Sequence, residues 1–450
     1  MGFSVACCYV ALVVIRQVQS LYTEVFWNLE FGICFGFGFF LDFVLNGSCS
    51  RHPTTFRSII SQRFDILIIG GGPAGSSAAI ELALGGMNVA VAEKRSFPRE
   101  VLCGEFLSGE VARAIRHFGL YDEFLALRPH KITTFTFTPE NDLRTTHPLG
   151  FEAWALKRSL LDHMLLKKAE AVGATVIQPA EVISIEGMQG RLDVQYRTPD
   201  SRGSLTAATV IAAYGKQNLL DKSLKRNFVS NRSGLSGVKY HVHRNAFREF
   251  PDGDIRIFAS QGIYCGINRI SEDEATLCFL ADQSEGDRHP TDALARLLRN
   301  NKGFRALFRE DLLLELKKIQ PFGTGNIFFG RKNVIENGMY MIGDAAAVIA
   351  PLAGDGIGMA IESGQLVARV LTEAKQDSLD RQQTETLYTR EWKRLFGKRL
   401  AFASFSQGIA MNSWGGNAGG WVLRAFPQIA KSIIRGTRGN WEKATWRRGW

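Results

Sequence analysis

The chain has 450 residues, of which 45% are hydrophobic and 22% charged. That balance excludes a disordered protein and leaves room for two or three units of about 150 residues each, with a sizeable core. Lys and Arg outnumber Asp and Glu by 54 to 44, a net charge of +10. Seven basic residues against Glu442 alone fall between Arg424 and Trp450, so the rest of the chain is nearly balanced and a nucleic-acid-binding domain is disfavoured.

The first sixty residues differ in composition from the remainder of the chain. Four of the seven cysteines and eight of the 31 phenylalanines lie within the first fifty positions. No CxxC pair occurs and no histidines stand at zinc-finger spacing, so neither a disulfide framework nor a metal site is expected. The apolar runs at 3–14 and 31–45 fall short of the roughly 20 residues a spanning helix needs, and no Lys or Arg precedes the first one as in a signal peptide. Residues 1–62 therefore read as an extension dispensable to the fold. An interfacial membrane anchor is the alternative, and a signal or true span ranks third.

Phe64–Ile69 is a continuous apolar run of the kind buried on both faces of a parallel sheet. It leads into Gly70-Gly71-Gly72-Pro73-Ala74-Gly75, with Gly70, Gly72 and Gly75 at the positions of GxGxxG. Glycine there allows a tight turn, backbone approach to a pyrophosphate, and close packing of the next helix. A helix over Ser76–Leu84 would aim its positive end at the phosphates. A second strand, Asn88–Ala92, ends at Glu93, eighteen residues past Gly75, where a ribose-binding acid belongs. An acid at this position suits a free ribose diol, hence FAD or NAD and not NADP. A generic glycine turn would not bring strand, glycines, helix, strand and acid in this order.

Far downstream, Met339–Ile342 is a short apolar strand followed by Gly343-Asp344. Pro351-Leu352-Ala353-Gly354-Asp355-Gly356-Ile357-Gly358 and a helical stretch Met359–Thr372 come next. This order resembles the second FAD fingerprint of the flavoprotein superfamily that includes para-hydroxybenzoate hydroxylases, geranylgeranyl reductases and flavin-dependent halogenases, and the resemblance covers roughly residues 63–440. It implies that Asp344 bonds a ribityl hydroxyl and that Pro351–Gly358 lies beside the isoalloxazine, where helix-terminal donors suit the charge of a reduced ring. Two further segments are similar to the superfamily: Glu93-Lys94-Arg95 through Arg99 to Cys103-Gly104-Glu105, resembling the stretch that passes the flavin, and Trp154–Arg158, resembling a helix start whose Arg contacts the cofactor. One departure stands out. Hydroxylases carry Asp-Gly after the strand that here ends at Ala213, whereas this chain has Tyr214-Gly215-Lys216, which puts reduction by NAD(P)H in the usual manner in doubt.

Lys131–Thr138, Val238–His243, Asp254–Ala259, Gly262–Ile270 and Ala275–Leu280 have strand character and predict a second, antiparallel sheet forming a lid. The expected architecture is α/β. A Rossmann-like FAD domain (63–110, 151–215, 330–375) is interleaved with a substrate domain (111–150, 216–329) and followed by a basic helical region (376–450). Weak candidates for catalysis are His241, His243, Tyr264 and Cys103, with Glu105, Tyr214 and Asp355 nearby in the reckoning. A histidine or tyrosine suits proton delivery, although each has a plain structural reading, and Cys265 and Cys278 read as small core residues. No Trp lies between 155 and 391, so the Trp-x-Trp signature of halogenases is missing. Tyr388, Trp392, Leu395, Phe396, Arg399 and Phe402 fall at helical spacing, and the glycines of 414–421 suggest a break after them.

These features predict an FAD-dependent oxidoreductase acting on a small apolar or aromatic substrate, with hydroxylation as the first reading and C=C reduction of isoprenoid chains as the second. A non-catalytic flavin sensor and an NAD-only dehydrogenase are rivals. A cytoplasmic protein without nucleic acid is expected, with peripheral contact to a membrane through the basic tail as a further option. Substrate, electron donor and oligomeric state stay open.

Overall fold

The computed structural model describes residues 63–439, apart from positions 189, 232 and 288. The extension 1–62, with its two apolar runs, and the tail beyond Gly439 lie outside the described residues.

The opening strand, Arg63–Ile69, is buried from Ile66 to Ile69. It pairs in parallel with Val89–Ala92 on one side and Arg202–Ala212 on the other. The sheet continues outward through Thr175–Ile177 next to Val89–Ala92, and through Met339–Met341 and Ile335–Glu336 beyond Arg202–Ala212. A hairpin, Glu181–Met188 with Arg191–Arg197, joins the first half of Arg202–Ala212 antiparallel. Parallel strands with both faces covered by helices must be apolar on both faces, and Leu67, Ile68, Val91 and Ile211 are fully buried.

The helix after the glycines spans Pro73–Leu84, three residues earlier than the sequence suggests. Proline at a first helical turn lacks only an N–H that would have no partner there, and its ring presets φ. The long helix Gly356–Gln376 packs against it, and the Ser77 hydroxyl donates to the Ile361 carbonyl at 3.0 Å.

The second sheet has eight strands, in the order Phe322–Thr324, Leu235–His243, Glu274–Asp282, Ile263–Arg269, Asp254–Ser260, His130–Thr138, Thr145–Ala155 and Phe106–Leu107. It contains all five runs read from sequence, but it is not antiparallel throughout. Asp254–Ser260 runs parallel to His130–Thr138, because a long excursion through the first sheet separates them and no hairpin is needed. Thr145–Ala155 also runs straight through the boundary expected at 150/151, and its end pairs with Phe106–Leu107.

The C-terminal region is helical over Arg381–Ala410, Ser413–Ala425 and Pro427–Gly436. The glycines of 414–421 therefore do not break the chain. Asn412 caps the middle helix by accepting from the Gly415 N–H at 3.0 Å. Cβ atoms added at Gly415 and Gly420 would come within 2.7 Å of the Ile409 carbonyl oxygen and 2.8 Å of the Pro139 ring, so glycine is used here for close approach.

Candidate functional site

A cavity of about 1170 Å³ lies where the carboxyl ends of the first sheet meet the second sheet and the C-terminal helices. The glycine turn sits at its inner end. A Cβ on Gly70, whose φ is +108°, would lie 2.5 Å from the Ala213 carbonyl oxygen, and one on Gly75 would overlap the Gly70 carbonyl. The turn can therefore exist only with glycine at both positions, and it leaves the first N–H groups of the Pro73–Leu84 helix facing the cavity. Gly70, Gly72, Pro73 and Ala74 line the cavity, whereas Gly75 is packed behind them. Glu93 is buried at the end of its strand, accepting from the Gly71 N–H at 2.8 Å and the Arg95 N–H at 3.0 Å.

Arg99 and Arg158 both turn inward at the cavity wall. Both reach the buried Asp162 carboxylate, Arg158 through two bonds of 2.6 and 2.8 Å and Arg99 at 3.3 Å, and Arg99 also stands 3.5 Å from Glu93. Burial opposes the charge on Arg158, but Asp162 outweighs it and holds the guanidinium firmly protonated. Lys94, Arg95, Cys103 and Gly104 continue the same wall.

Asp344 lies at the end of Met339–Met341 and forms an ion pair with Lys216 at 3.0 Å. Its carboxylate raises the pKa of that lysine. Gly343 sits behind it, with the Gly343 N–H donating to Ser363 Oγ at 2.8 Å. Tyr214, standing where hydroxylases have Asp, donates its hydroxyl to Asp221 at 2.8 Å, and Arg226 bonds that hydroxyl, Asp221 and the Ala345 carbonyl together. This residue thus ties the 214–226 segment to the Asp344 turn.

Pro351, Gly354, Gly356 and Ile357 line the cavity, and Gly358 is turned away from it, against Ser108 and Asp355. Asp355 is fully buried, accepts from Ser108 Oγ at 3.0 Å, and is held by Arg399, which also grips Glu362. Arg438, two residues past the end of the last helix, reaches the Ala353 carbonyl at 3.2 Å and Asp355 at 3.5 Å, and Glu110 completes the group by accepting from the Gly439 N–H at 3.1 Å. Three buried carboxylates thus face two guanidinium groups. Burial raises the Asp355 pKa and lifts that of Glu362 to about 7 despite Arg399.

The candidate acid–base groups separate. Tyr264 and Cys103 line the cavity; no histidine among the described residues does. His241 instead binds Glu105 at 2.7 Å, and His243 lies at an exposed strand end, where its Nδ1 accepts from the Asn245 N–H. Glu105 is completely buried and also takes bonds from Lys239 (3.0 Å), the Arg158 N–H (3.0 Å) and Thr276. Burial alone would raise its pKa, but the bond from His241 and the charge of Lys239 bring it down to about 2. Lys239 also reaches Glu100 at 2.7 Å. Glu100, Glu105 and His241 are grouped closely enough for a metal ion, but the Lys239 ammonium already supplies the cation between the two carboxylates.

Sequence reasoning gave no site role to Lys216, Lys239, Glu362, Arg399, Arg438 or Asn268. All but Asn268 are joined to the site by side-chain contacts that span many residues. Asn268 lines the cavity on the face of Ile263–Arg269 shared by Tyr264 and Gly266, is 1% exposed, and its Nδ2 has no partner among the described residues. Burial raises the Tyr264 pKa well above its usual range and that of Cys278, on the adjacent strand, to about 12.

The comparisons agree with this geometry. Menaquinone reductase of Mycolicibacterium smegmatis is 26% identical over 330 residues, covering 70% of this chain and 77% of that protein. Digeranylgeranylglycerophospholipid reductase 2 of Methanopyrus kandleri is 25% identical over 354 residues, covering 76% and 85%. Among solved structures, flavin-dependent brominase Bmp2 superposes with a TM-score of 0.68 at 20% identity over 84% of this chain and 93% of that one. PqsL of P. aeruginosa in complex with 2-aminobenzoylacetate gives 0.63 at 17% over 80% and 100%. These two likenesses show the fold. The glycine cradle, the helix end beneath it and the Asp344 turn fit FAD, and the sequence pattern of the family described as FAD binding domain matches residues 63–394. The chain therefore belongs to the FAD binding domain family and is an FAD-dependent oxidoreductase.

Proposed function

We propose that this enzyme reduces a C=C bond in a long apolar, isoprenoid-type substrate. The observation that carries the reading is the cavity itself. Beyond the glycine loop one long stretch of its wall is apolar, including Phe135, Phe137, Ile257, Leu280, Ile327 and Leu352, and it continues to a rim formed by Phe405, Ile409 and Trp414. Its volume exceeds the ~300–1,000 Å³ typical of a site for one compact ligand, which suits a cofactor together with an extended chain.

Gly70, Gly72, the start of Pro73–Leu84, Glu93, Arg158 and Asp344 would hold FAD, and when reduced it supplies a hydride. The chain's own residues supply position and proton. The Tyr264 hydroxyl and Cys278 thiol keep their protons across the physiological range and face the cavity. Either can donate to the carbon that does not receive hydride, with bulk water restoring the proton. The free Asn268 Nδ2 offers a hydrogen bond to a polar atom at the head of the substrate. Ring hydroxylation is less well served: Tyr214 replaces the Asp of the hydroxylase pattern, and no histidine among the described residues faces the cavity to take a phenolic proton. The reductase relatives support the same direction.

The test is turnover without oxygen. Enzyme reduced in advance by dithionite and given a polyprenyl acceptor anaerobically should reoxidise its flavin and yield a product two mass units heavier. A product sixteen units heavier that forms only with oxygen would overturn the proposal in favour of hydroxylation.

A further inference from the structure

We infer that the C-terminal helices dock on an anionic lipid bilayer and place the mouth of the cavity against it. Exposed aromatic side chains are the first observation. Phe405, Trp414, Trp421 and Phe426 are 66%, 81%, 62% and 59% exposed, and among the described residues every large hydrophobic aromatic left in the open belongs to this group. Ile409, Val422 and Ile429 are exposed beside them. Trp414 and Trp421 are two helical turns apart and share one stripe of Ser413–Ala425.

Charge is the second observation. From Trp392 to Gly439 the sequence has no Asp or Glu, yet it has eight Lys and Arg. Arg399 and Arg438 are turned inward against carboxylates, whereas Lys393, Lys398, Arg424, Lys431 and Arg435 are exposed. Lys398, Phe405 and Ile409 follow one another at spacings of seven and four, so cation and apolar side chains lie along one stripe of Arg381–Ala410. Large apolar side chains beside cations, without intervening acids, match a bilayer interface with anionic headgroups, where the rings enter the acyl boundary and the ammonium and guanidinium groups meet phosphate. A protein partner of ordinary surface composition would leave so one-sided a charge without its complement.

The third observation is continuity. Phe405, Ile409, Trp414 and Val422 belong both to the exposed patch and to the cavity wall. A bilayer on the patch therefore meets the cavity opening, and an apolar molecule dissolved in it could enter without crossing water. No helix among the described residues is long and apolar enough to cross a membrane, and lying on the surface requires none.

The experiment uses the full chain with FAD and vesicles of phosphatidylcholine alone or with phosphatidylglycerol, read by flotation. The parent should float with the anionic vesicles and stay down with the neutral ones. Trp421→Ser with Phe426→Ser changes two exposed side chains outside the cavity wall. It should weaken vesicle binding by about tenfold or more while flavin content and turnover of a detergent-dispersed acceptor hold. Lys398→Glu with Lys431→Glu should remove the preference for the anionic vesicles. Undiminished flotation of the first variant would overturn the inference, as would a parent that ignores vesicles but forms a dimer that this variant abolishes. Flotation does not depend on turnover, so its failure is distinguishable from failure of the proposed reaction.

Discussion

At Gly75 a single methyl group decides whether the cofactor site exists. Gly75→Ala puts a Cβ into the Gly70 carbonyl, so the turn must open, and flavin retained through purification should fall at least about tenfold, measured by the ratio of flavin to protein absorbance. Glu105 is a different kind of residue. Its carboxylate titrates near 2 when folded against an ordinary 4.5, so its stabilisation is complete above pH 4.5 and is lost as the pH falls towards 2. The difference is worth on the order of 3 kcal/mol. Glu105→Gln should destabilise the protein at pH 7 by a similar amount, because the buried Lys239 loses a charged partner, and should flatten the acid limb of a urea-denaturation profile. Asn268→Val leaves the cavity wall intact but removes the free donor, so KM for an acceptor with a polar head should rise several-fold while that for a plain hydrocarbon chain holds. Gly75 is legible in the sequence, since its neighbours in the chain are also its neighbours in space. Glu105 is legible only as part of a loop, and the lysine and histidine that fix its charge come from more than 130 residues away.

Among elements, the start of Gly356–Gln376 gathers buried charge of both signs. Asp355, Glu362 and Glu110 share Arg399 and Arg438. With Glu362 raised to about 7, the folded protein holds a proton that the unfolded chain releases near 4.5. Stability from this group therefore declines as the pH rises from about 4.5 to 7, with the full loss present above 7. Glu362→Gln should flatten that decline, which denaturant midpoints at pH 5, 6, 7 and 8 would read. The sequence makes the helix and its glycine loop plain through a local pattern. It hides the role of Arg438, because nothing in 427–439 announces that a guanidinium returns to the Ala353 carbonyl 85 residues upstream. Five of the eight strands of the second sheet were legible one by one, but not their order. The parallel pairing of Asp254–Ser260 with His130–Thr138 is set by packing across the whole sheet, for which period-two patterning carries no signal. The glycines of 414–421 misled for a related reason: propensity favours a break, whereas close approach to Ile409 and Pro139 decides the outcome.

For the molecule as a whole, an apolar cavity between two sheets forgoes contacts that a filled core would have, so the occupied protein should be markedly the more stable. FAD at a hundred times its dissociation constant adds about 2.7 kcal/mol, and thermal melting of stripped protein should rise with added FAD and again with a polyprenyl ligand. Two glycines in the cavity wall give that space adjustable ends. A Cβ at Gly104, on the loop beside Cys103, or at Gly419, in the helix over the mouth, meets no atom within 4 Å. Larger side chains at either position would grow into the void without displacing backbone. At the entrance, one substitution at Gly419 would therefore shorten the bore while the flavin site stays untouched, whereas a side chain at Gly104 would grow into the space beside the flavin-passing loop.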